Sequence, residues 1–291
     1  MAPFVRVSSF LVLASFRALA STLTEYRWNA AGPLSAQART QCLDPFSPAT
    51  EGILSKELWT YPLRCVSSKQ SPAGESKPAY CLFTSAPLRG YSGISIITTP
   101  EIAADAFSSD ALKDSYDFWR WEERVSNLGP IWDAQGPSYA VKDIPGKGKG
   151  VVARRDIRIG EVFMLDYPVI LAHRGLLDSL GPDYRQKFFP AAIEQLPETA
   201  REKVMALARI SADKSNYAED ILTTNACGVF LGGTESHVGL FPEVSRINHA
   251  CNASAFFRFS QRTFTMEVIA YRDIQEGEEI SINCKFRRPV F

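Results

Sequence analysis

Short segments that alternate between apolar and polar residues recur in the second half of the chain. Residues 151–153 and 162–165 are predicted strands separated by turns. Phe257 and Phe259 alternate with polar residues, and a second alternating segment follows a few residues later, which predicts a hairpin. Between these strands, residues from about 172 to 222 follow a helical pattern. The sequence therefore predicts a mainly β fold with a helical insert, of the α+β class.

Two further segments extend this prediction. The segment "ILTTNACGVFL", residues 221–231, is rich in β-branched and apolar residues and is a candidate strand. The segment "GEEISINC", residues 277–284, is predicted to be a turn followed by a strand. Because a lone strand cannot bury its apolar face, this closing strand is expected to complete a sheet built by earlier parts of the chain.

The composition is that of an ordinary globular protein. The chain has 291 residues, 45% of them hydrophobic, which is enough to build one large domain or two small ones. Its 32 basic and 32 acidic residues leave a formal net charge of zero. Nucleic-acid binding normally needs a clustered basic excess, so no direct nucleic-acid binding is expected.

The six cysteines do not form a C-x-x-C pair, which argues against a zinc finger or ribbon, and no metal site is predicted. Most of them are expected to be small buried apolar residues. Cys42, Cys65 and Cys81 lie in the N-terminal third and could hold one disulfide if the chain is secreted.

The N-terminal residues bear on the compartment. Residues 1–20 contain one early arginine, a short apolar stretch and small residues before Ser21, the outline of a secretory signal peptide. Recurrent arginines and plentiful serines leave a mitochondrial transit peptide as an alternative, and a nuclear or cytoplasmic protein without a leader as another. No other run is long enough to span a membrane.

Three segments could carry chemistry, and the third is the closing turn and strand that ends in "GEEISINC". The turn "PGKGKG", residues 145–150, lets the backbone approach a ligand closely, but it matches neither a P-loop nor a dinucleotide fingerprint. The segment "SRINHACNASAFF", residues 245–257, groups Asn248, His249 and Cys251. Two ligands do not make a zinc site, and a cysteine two residues from a histidine is poorly placed for a nucleophilic dyad. Each segment alone is more typical of a structural turn.

Taken together and in order, these segments resemble the SET-domain family of S-adenosylmethionine-dependent protein-lysine methyltransferases. The resemblance is to fungal SET proteins with an N-terminal extension, related to the MYND-associated branch. The matching stretches are "IPGKGKGVVARRDIRIGEVFMLDYPVI", "LFPEVSRINHACNASAFFRF" and "VIAYRDIQEGEEISI". The stretch "YCLFTSAPLRGYSGISIITTPEIA" also resembles the N-terminal region of that fungal group.

The resemblance implies an organisation and a site. It implies an N-terminal extension over residues 21–138, a SET domain of short curled sheets over 139–284, and a tail, 285–291, without the segment that usually follows the domain. It implies S-adenosylmethionine as cofactor and a protein or peptide lysine as substrate. The residues that it places around the cofactor are Lys147, Gly148, Lys149, Gly150, Asn248 and His249.

The sequence departs from the family pattern at three positions. Cys284 stands where relatives have a tyrosine whose hydroxyl lies at the methyl-transfer centre, so no catalytic residue is assigned. Ala253 and Ser254 stand where proline and asparagine are usual. These departures raise two alternatives: a SET-fold binding or interaction module with impaired catalysis, and a reading frame that leaves that of the family near Asn283. An unrelated secreted role on the same fold is a third hypothesis.

Overall fold

The structure is a computed structural model, and it describes residues 59–67, 79–108, 132–133, 136–179, 182–211, 216–261 and 263–283. The described residues lie within one compact unit, Cys42–Phe291. The predictions for the leader, Cys42, Cys284 and the tail fall outside the described residues.

Strands dominate the described part of the chain. The strands are β1 (Arg64–Ser67), β2 (Ala79–Ser85), β3 (Ile94–Thr98), β4 (Trp132–Asp133), β5 (Gly136–Pro137), β6 (Tyr139–Ile144), β7 (Gly148–Ala153), β8 (Val162–Asp166), β9 (Ile170–His173), β10 (Cys227–Leu231), β11 (Glu235–Leu240), β12 (Asn248–His249), β13 (Ala255–Ser260), β14 (Thr265–Ala270) and β15 (Glu279–Ile282). The helices are α1 (Leu88–Tyr91), α2 (Pro100–Ser108), α3 (Arg174–Ser179), α4 (Pro182–Glu194), α5 (Glu198–Met205) and α6 (Tyr217–Asn225), with a short 3₁₀ helix at Val244–Arg246.

The first sheet has the strand order β1-β2-β3-β9-β11-β10. Its centre is the parallel pair β3 and β9, in which Ile96 lies opposite Leu171. All five residues of β3 are buried, as expected for a strand covered on both faces. Strands from both sides of residue 138 thus share one sheet, and the domain boundary placed there stays a prediction.

The second sheet has the order β6-β7-β15-β13-β14-β8, and β12 pairs with β15 beside this path. The predicted hairpin of β13 and β14 is confirmed, with Phe257 opposite Val268. The closing segment forms β15, which lies antiparallel to β7 and parallel to β12. It therefore joins the glycine turn to the segment that contains Asn248.

The core lies on the two faces of the first sheet. Along β2, Phe83 contributes to a core cluster with residues of the second sheet such as Phe163, and its neighbour Leu82 contributes to a cluster with residues of the helical insert such as Phe189. The alternation follows from the two-residue period of a strand. The first sheet is therefore sandwiched between the second sheet and the insert.

The mainly β architecture with a helical insert is confirmed: helices α3 to α6 lie between β9 and β10. The candidate strand over 221–231 is wrong in its first half, since α6 extends to Asn225 and only β10 is extended. Helix α6 buries Ala218, Ile221 and Leu222, and this packing outweighs the strand preference of the two threonines. Within the described ranges, no helix has both the length and the apolar character needed to cross a membrane.

Cys65 and Cys81 lie directly opposite each other on β1 and β2 and form a disulfide. Their Cα atoms are 4.0 Å apart. The sequence limited this bond to the first three cysteines, and strand register selects the pair. The disulfide fastens the edge strand of the first sheet to its neighbour.

Candidate functional site

The three segments singled out in the sequence meet at β15. In the second sheet, Ile280 of β15 lies opposite Val151 of β7, and on its other side Ser281 lies opposite Asn248 of β12. In the chain, β7 and β12 are separated by residues 154–247, which include the helical insert, and β12 and β15 are separated by residues 250–278, which include the hairpin of β13 and β14. The result is one small region formed by the glycine turn, Asn248 and the closing strand.

The glycine turn supplies space as well as curvature. Gly146 and Gly148 both have φ of +74°, in the left-handed region that glycine adopts most easily. Gly150 is needed for a different reason: a Cβ there would lie 2.5 Å from Ile144 Cγ1 and 2.7 Å from Asn248 Nδ2. Asn248 can therefore approach the backbone of β7 only because residue 150 has no side chain.

Glu279 holds the two halves of this region together. Its Oε2 accepts a hydrogen bond from Lys147 Nζ at 2.7 Å, and its Oε1 accepts one from Asn248 Nδ2 at 2.9 Å. These bonds from Lys147 and Asn248 lower the pKa of the Glu279 carboxyl, against the smaller effect of burial. At neutral pH the residue is therefore an anion between a cation and an amide.

Sequence reasoning missed Glu279. The only available signal was its place in the acidic turn "GEE", where two glutamates in succession are also typical of a solvated turn. The side chain of Glu278 does not join the network around Glu279 and pairs with Arg272 instead. The structure thus gives different roles to two adjacent glutamates, since Glu278 precedes the closing strand and Glu279 is its first residue.

The other predicted site residues lie nearby but point to other partners. Lys149 Nζ pairs with Asp143 Oδ1 at 2.8 Å across the hairpin of β6 and β7. His249 is exposed on β12, opposite Ile282. Lys147, Gly150 and Asn248 are thus brought into one network, whereas Lys149 and His249 border it.

The departures from the family pattern have a structural counterpart at Ser254. This residue is fully buried, and its Oγ accepts a hydrogen bond from the Ser281 backbone N–H at 3.0 Å. Its own backbone N–H donates to the Ser281 carbonyl oxygen at 3.1 Å. Ser254 therefore anchors the loop after β12 to the closing strand. Cys251 is exposed and is a free thiol.

The arrangement suits a ligand that carries both signs of charge. Lys147 can neutralise a carboxylate, and Glu279 together with the Asn248 side-chain oxygen can accept from an ammonium group. Within the described ranges, no group of three or more histidine, cysteine or acidic residues is placed to hold a metal ion. The polar groups of this site can bind and orient a charged ligand.

Comparison with known proteins identifies the region. The family model for the SET domain matches residues 148–285. This part of the chain is a SET domain. No curated protein matches the sequence. A solved structure of a Plasmodium falciparum protein described as a candidate histone methyltransferase has 14% sequence identity and a TM-score of 0.30, and the match covers 50% of this chain and 91% of that chain. The SET domain begins at β7 and includes β15, so it contains most of the network around Glu279.

Proposed function

We propose that the SET domain binds S-adenosylmethionine and transfers its methyl group to a lysine side chain of a protein or peptide. One observation carries the proposal: the glycine turn, Asn248 and Glu279 converge at a point where a side chain on Gly150 would collide with Asn248. The finer resemblance to fungal SET proteins of the MYND-associated branch remains part of this proposal.

The residues fit the amino-acid end of the proposed cofactor. That end carries an ammonium and a carboxylate, and the network contains an anion, a cation and an amide that can both donate and accept. Backbone groups of the glycine turn, Lys147 to Gly150, add donors and acceptors that no side chain shields. We propose that Asn248, with His249 beside it, closes the opposite side of the same pocket.

When bound, the cofactor supplies a methyl group on a sulfonium, which a neutral amine can attack directly. The chain then has to align the amine and keep water away, and no protein nucleophile is needed. A lysine has an ordinary pKa near 10.4, so the substrate amine must lose its proton before it reacts. An apolar surrounding favours the neutral amine and so assists that loss.

The first test is a calorimetric titration of the full chain with S-adenosylmethionine. We expect one site with a micromolar dissociation constant, and methylation of lysine-containing peptides on an array. Absence of cofactor binding by a protein with a cooperative unfolding transition would overturn the proposal.

A second function is favoured by Cys284, which stands where the family has a tyrosine. A thiol is a weak hydrogen-bond donor and does not provide the ring that walls a lysine channel. The alternative is a SET-fold module that binds without transferring a methyl group. Methyl transfer by the wild-type chain supports the active-enzyme proposal; cofactor binding without transfer by both the wild type and the Cys284→Tyr variant supports the binding module.

A further inference from the structure

A pocket is lined by residues outside the network around Glu279. Its volume is about 110 Å³, and its lining includes Leu88, Arg89, Asp166, Tyr167, Lys203 and Phe264. The end of β8, the helix α5 and the turn between β13 and β14 all contribute to it, together with α1. None of the residues proposed to hold the cofactor lines it.

Arg89 is the central polar group of this pocket. Its Nη1 donates to the Phe264 carbonyl oxygen at 3.1 Å, and its Nη2 donates to the Thr263 carbonyl oxygen. The guanidinium carbon lies 3.8 Å from the centre of the Tyr167 ring. A guanidinium has five N–H groups, so these two bonds orient it and leave donors for a ligand.

Within the described part of the chain, Arg89 forms no ion pair with a carboxylate. Its hydrogen-bond acceptors are neutral carbonyl groups, and burial lowers the pKa of its guanidinium to about 10, partly opposed by Tyr167. A cation removed from water without a counter-ion is unfavourable unless something of opposite charge approaches it. An anion in the pocket would supply that partner.

The backbone supports the same interpretation. Arg89 and Phe264 have φ of 53° and 49°, and within the described ranges they are the two non-glycine residues with positive φ. They are joined by the hydrogen bond from Arg89 Nη1 to the Phe264 carbonyl. Backbones held in this sparsely populated region cluster at ligand-binding positions.

The surroundings narrow the class of anion. Leu88 and Phe264 provide apolar walls, and the volume of the pocket limits the ligand to a small molecule. Asp166 lines the pocket, and Lys203 is already paired with Glu243 at 3.3 Å. The pairing of Lys203 with Glu243 disfavours a doubly charged ligand such as a phosphate monoester, whereas a planar monoanion matches the guanidinium fork. We propose that this pocket binds a small monocarboxylate with an apolar body.

The test uses the full chain and ligand-observed NMR with four probes: isovalerate, benzoate, the neutral analogue isovaleramide, and inorganic phosphate. We expect at least one of the two carboxylates to bind at least tenfold more tightly than isovaleramide and phosphate. Failure of both carboxylates to bind to the folded protein would overturn the proposal. Binding of isovaleramide or phosphate as tight as that of the tighter-binding carboxylate would also overturn it.

Two variants assign the site. Arg89→Lys keeps the charge but removes the fork, and it should weaken carboxylate binding at least tenfold; Arg174→Lys, at an exposed arginine outside the pocket, is the matched control and should leave it unchanged. Thr199→Tyr places a ring at the exposed rim, where it should block binding without disturbing the core. Undiminished carboxylate binding in Thr199→Tyr would locate the ligand elsewhere. S-adenosylmethionine titrations of the same variants should match the wild type, because the two sites share no residue.

Discussion

Glu279 shows how much one side chain contributes to the geometry of the candidate site. It is 25% exposed and its partner Lys147 is 54% exposed, so the ion pair itself contributes only about 0–1 kcal/mol to stability. The main effect of Glu279 is instead to hold the side chains of Asn248 and Lys147 close to each other. A change here should therefore affect binding more than folding.

The Glu279→Gln variant tests this role. The neutral amide retains an acceptor for Asn248 but loses the attraction for Lys147 and for a ligand ammonium, so we expect S-adenosylmethionine affinity to fall about tenfold, or about 1.4 kcal/mol. Unfolding in urea should change by less than about 1 kcal/mol. The matched control is Glu276→Gln in the same turn, where the residue is exposed and its side chain takes no part in the network. Equal effects of the two substitutions on affinity would contradict the assigned role.

The Gly150→Ala variant tests whether the site needs the close approach of Asn248 to β7. In Gly150→Ala, the new methyl group would lie 2.7 Å from Asn248 Nδ2 and 2.5 Å from Ile144 Cγ1, so one of them must move. We expect a loss of stability of about 1–3 kcal/mol and loss of cofactor binding, measured by urea unfolding and calorimetry.

Gly146→Ala is the control for that experiment. Gly146 has positive φ, but no atom lies within 4 Å of the position that a new methyl group would take. Its substitution should therefore cost about 1 kcal/mol of backbone energy and leave binding intact. Cofactor binding by Gly150→Ala at wild-type strength would show that Asn248 does not need its present position.

At the scale of elements, the disulfide is the feature that most affects an edge strand. Cys65→Ser should lower the free energy of unfolding by about 2–4 kcal/mol, because the bond closes a loop with a sequence separation of 16 residues. A reducing agent should destabilise the wild type by a similar amount and leave the variant unchanged. Cys251→Ser, at an exposed free thiol, is the control and should have no effect. If the disulfide is present in protein isolated from its natural source, this would indicate an oxidising compartment, in agreement with the predicted signal peptide.

β11 and β3 are joined by a buried histidine. Nδ1 of His237 lies 3.0 Å from the Glu235 carbonyl oxygen, which can only accept, so Nδ1 carries the proton and Nε2 accepts from the Thr98 hydroxyl at 3.0 Å. Burial lowers the pKa of His237 to about 4, partly opposed by the Glu235 carbonyl, and nearby His173 lowers it further. The ring is therefore neutral in the folded protein.

This pairing predicts a pH dependence with a defined sign. The folded pKa is below the ordinary value of 6.5, so the unfolded chain binds the proton first and stability falls as the pH drops from 6.5 toward 4, by about 3 kcal/mol at most. The measurement is urea unfolding of the wild type and His237→Gln across this range, with the wild type showing the steeper loss.

The titration of Asp166 also changes stability with pH, and this contribution has to be distinguished from that of His237. Burial raises the pKa of its carboxyl to about 7, against hydrogen bonds from the backbone N–H groups of Val244, Tyr167 and Glu243. A raised folded pKa stabilises the protein at low pH and the contribution is lost as the pH rises toward 7, the opposite sign. Asp166 is present in both proteins, so its effect cancels in their difference. Parallel pH curves would refute the role of His237.

On the scale of the whole molecule, the described part of the chain before residue 138 shares its main sheet with the region after it. Removing β1 to β3 would expose one edge of β9 and the apolar side chains that pack on both faces of the first sheet. An unpaired central strand is a site for aggregation. A chain that begins at residue 139 should therefore lack a cooperative unfolding transition, whereas one that begins at residue 59 should keep it. Circular dichroism during urea unfolding makes the comparison, and equal midpoints for the two would contradict it.

Local sequence patterns were enough to predict the class of the fold and the order of the three motifs, because a two-residue period, a helical period and glycine-rich turns are local properties of the chain. The strand prediction was wrong over 221–225, where burial of α6 outweighs local strand preference. Only the tertiary structure selected Cys81 as the partner of Cys65, joined Glu279 to Lys147 across 132 residues, and placed Arg89 beside Phe264 across 175. Such contacts depend on which strands become neighbours and in what register, and a local pattern does not contain that information.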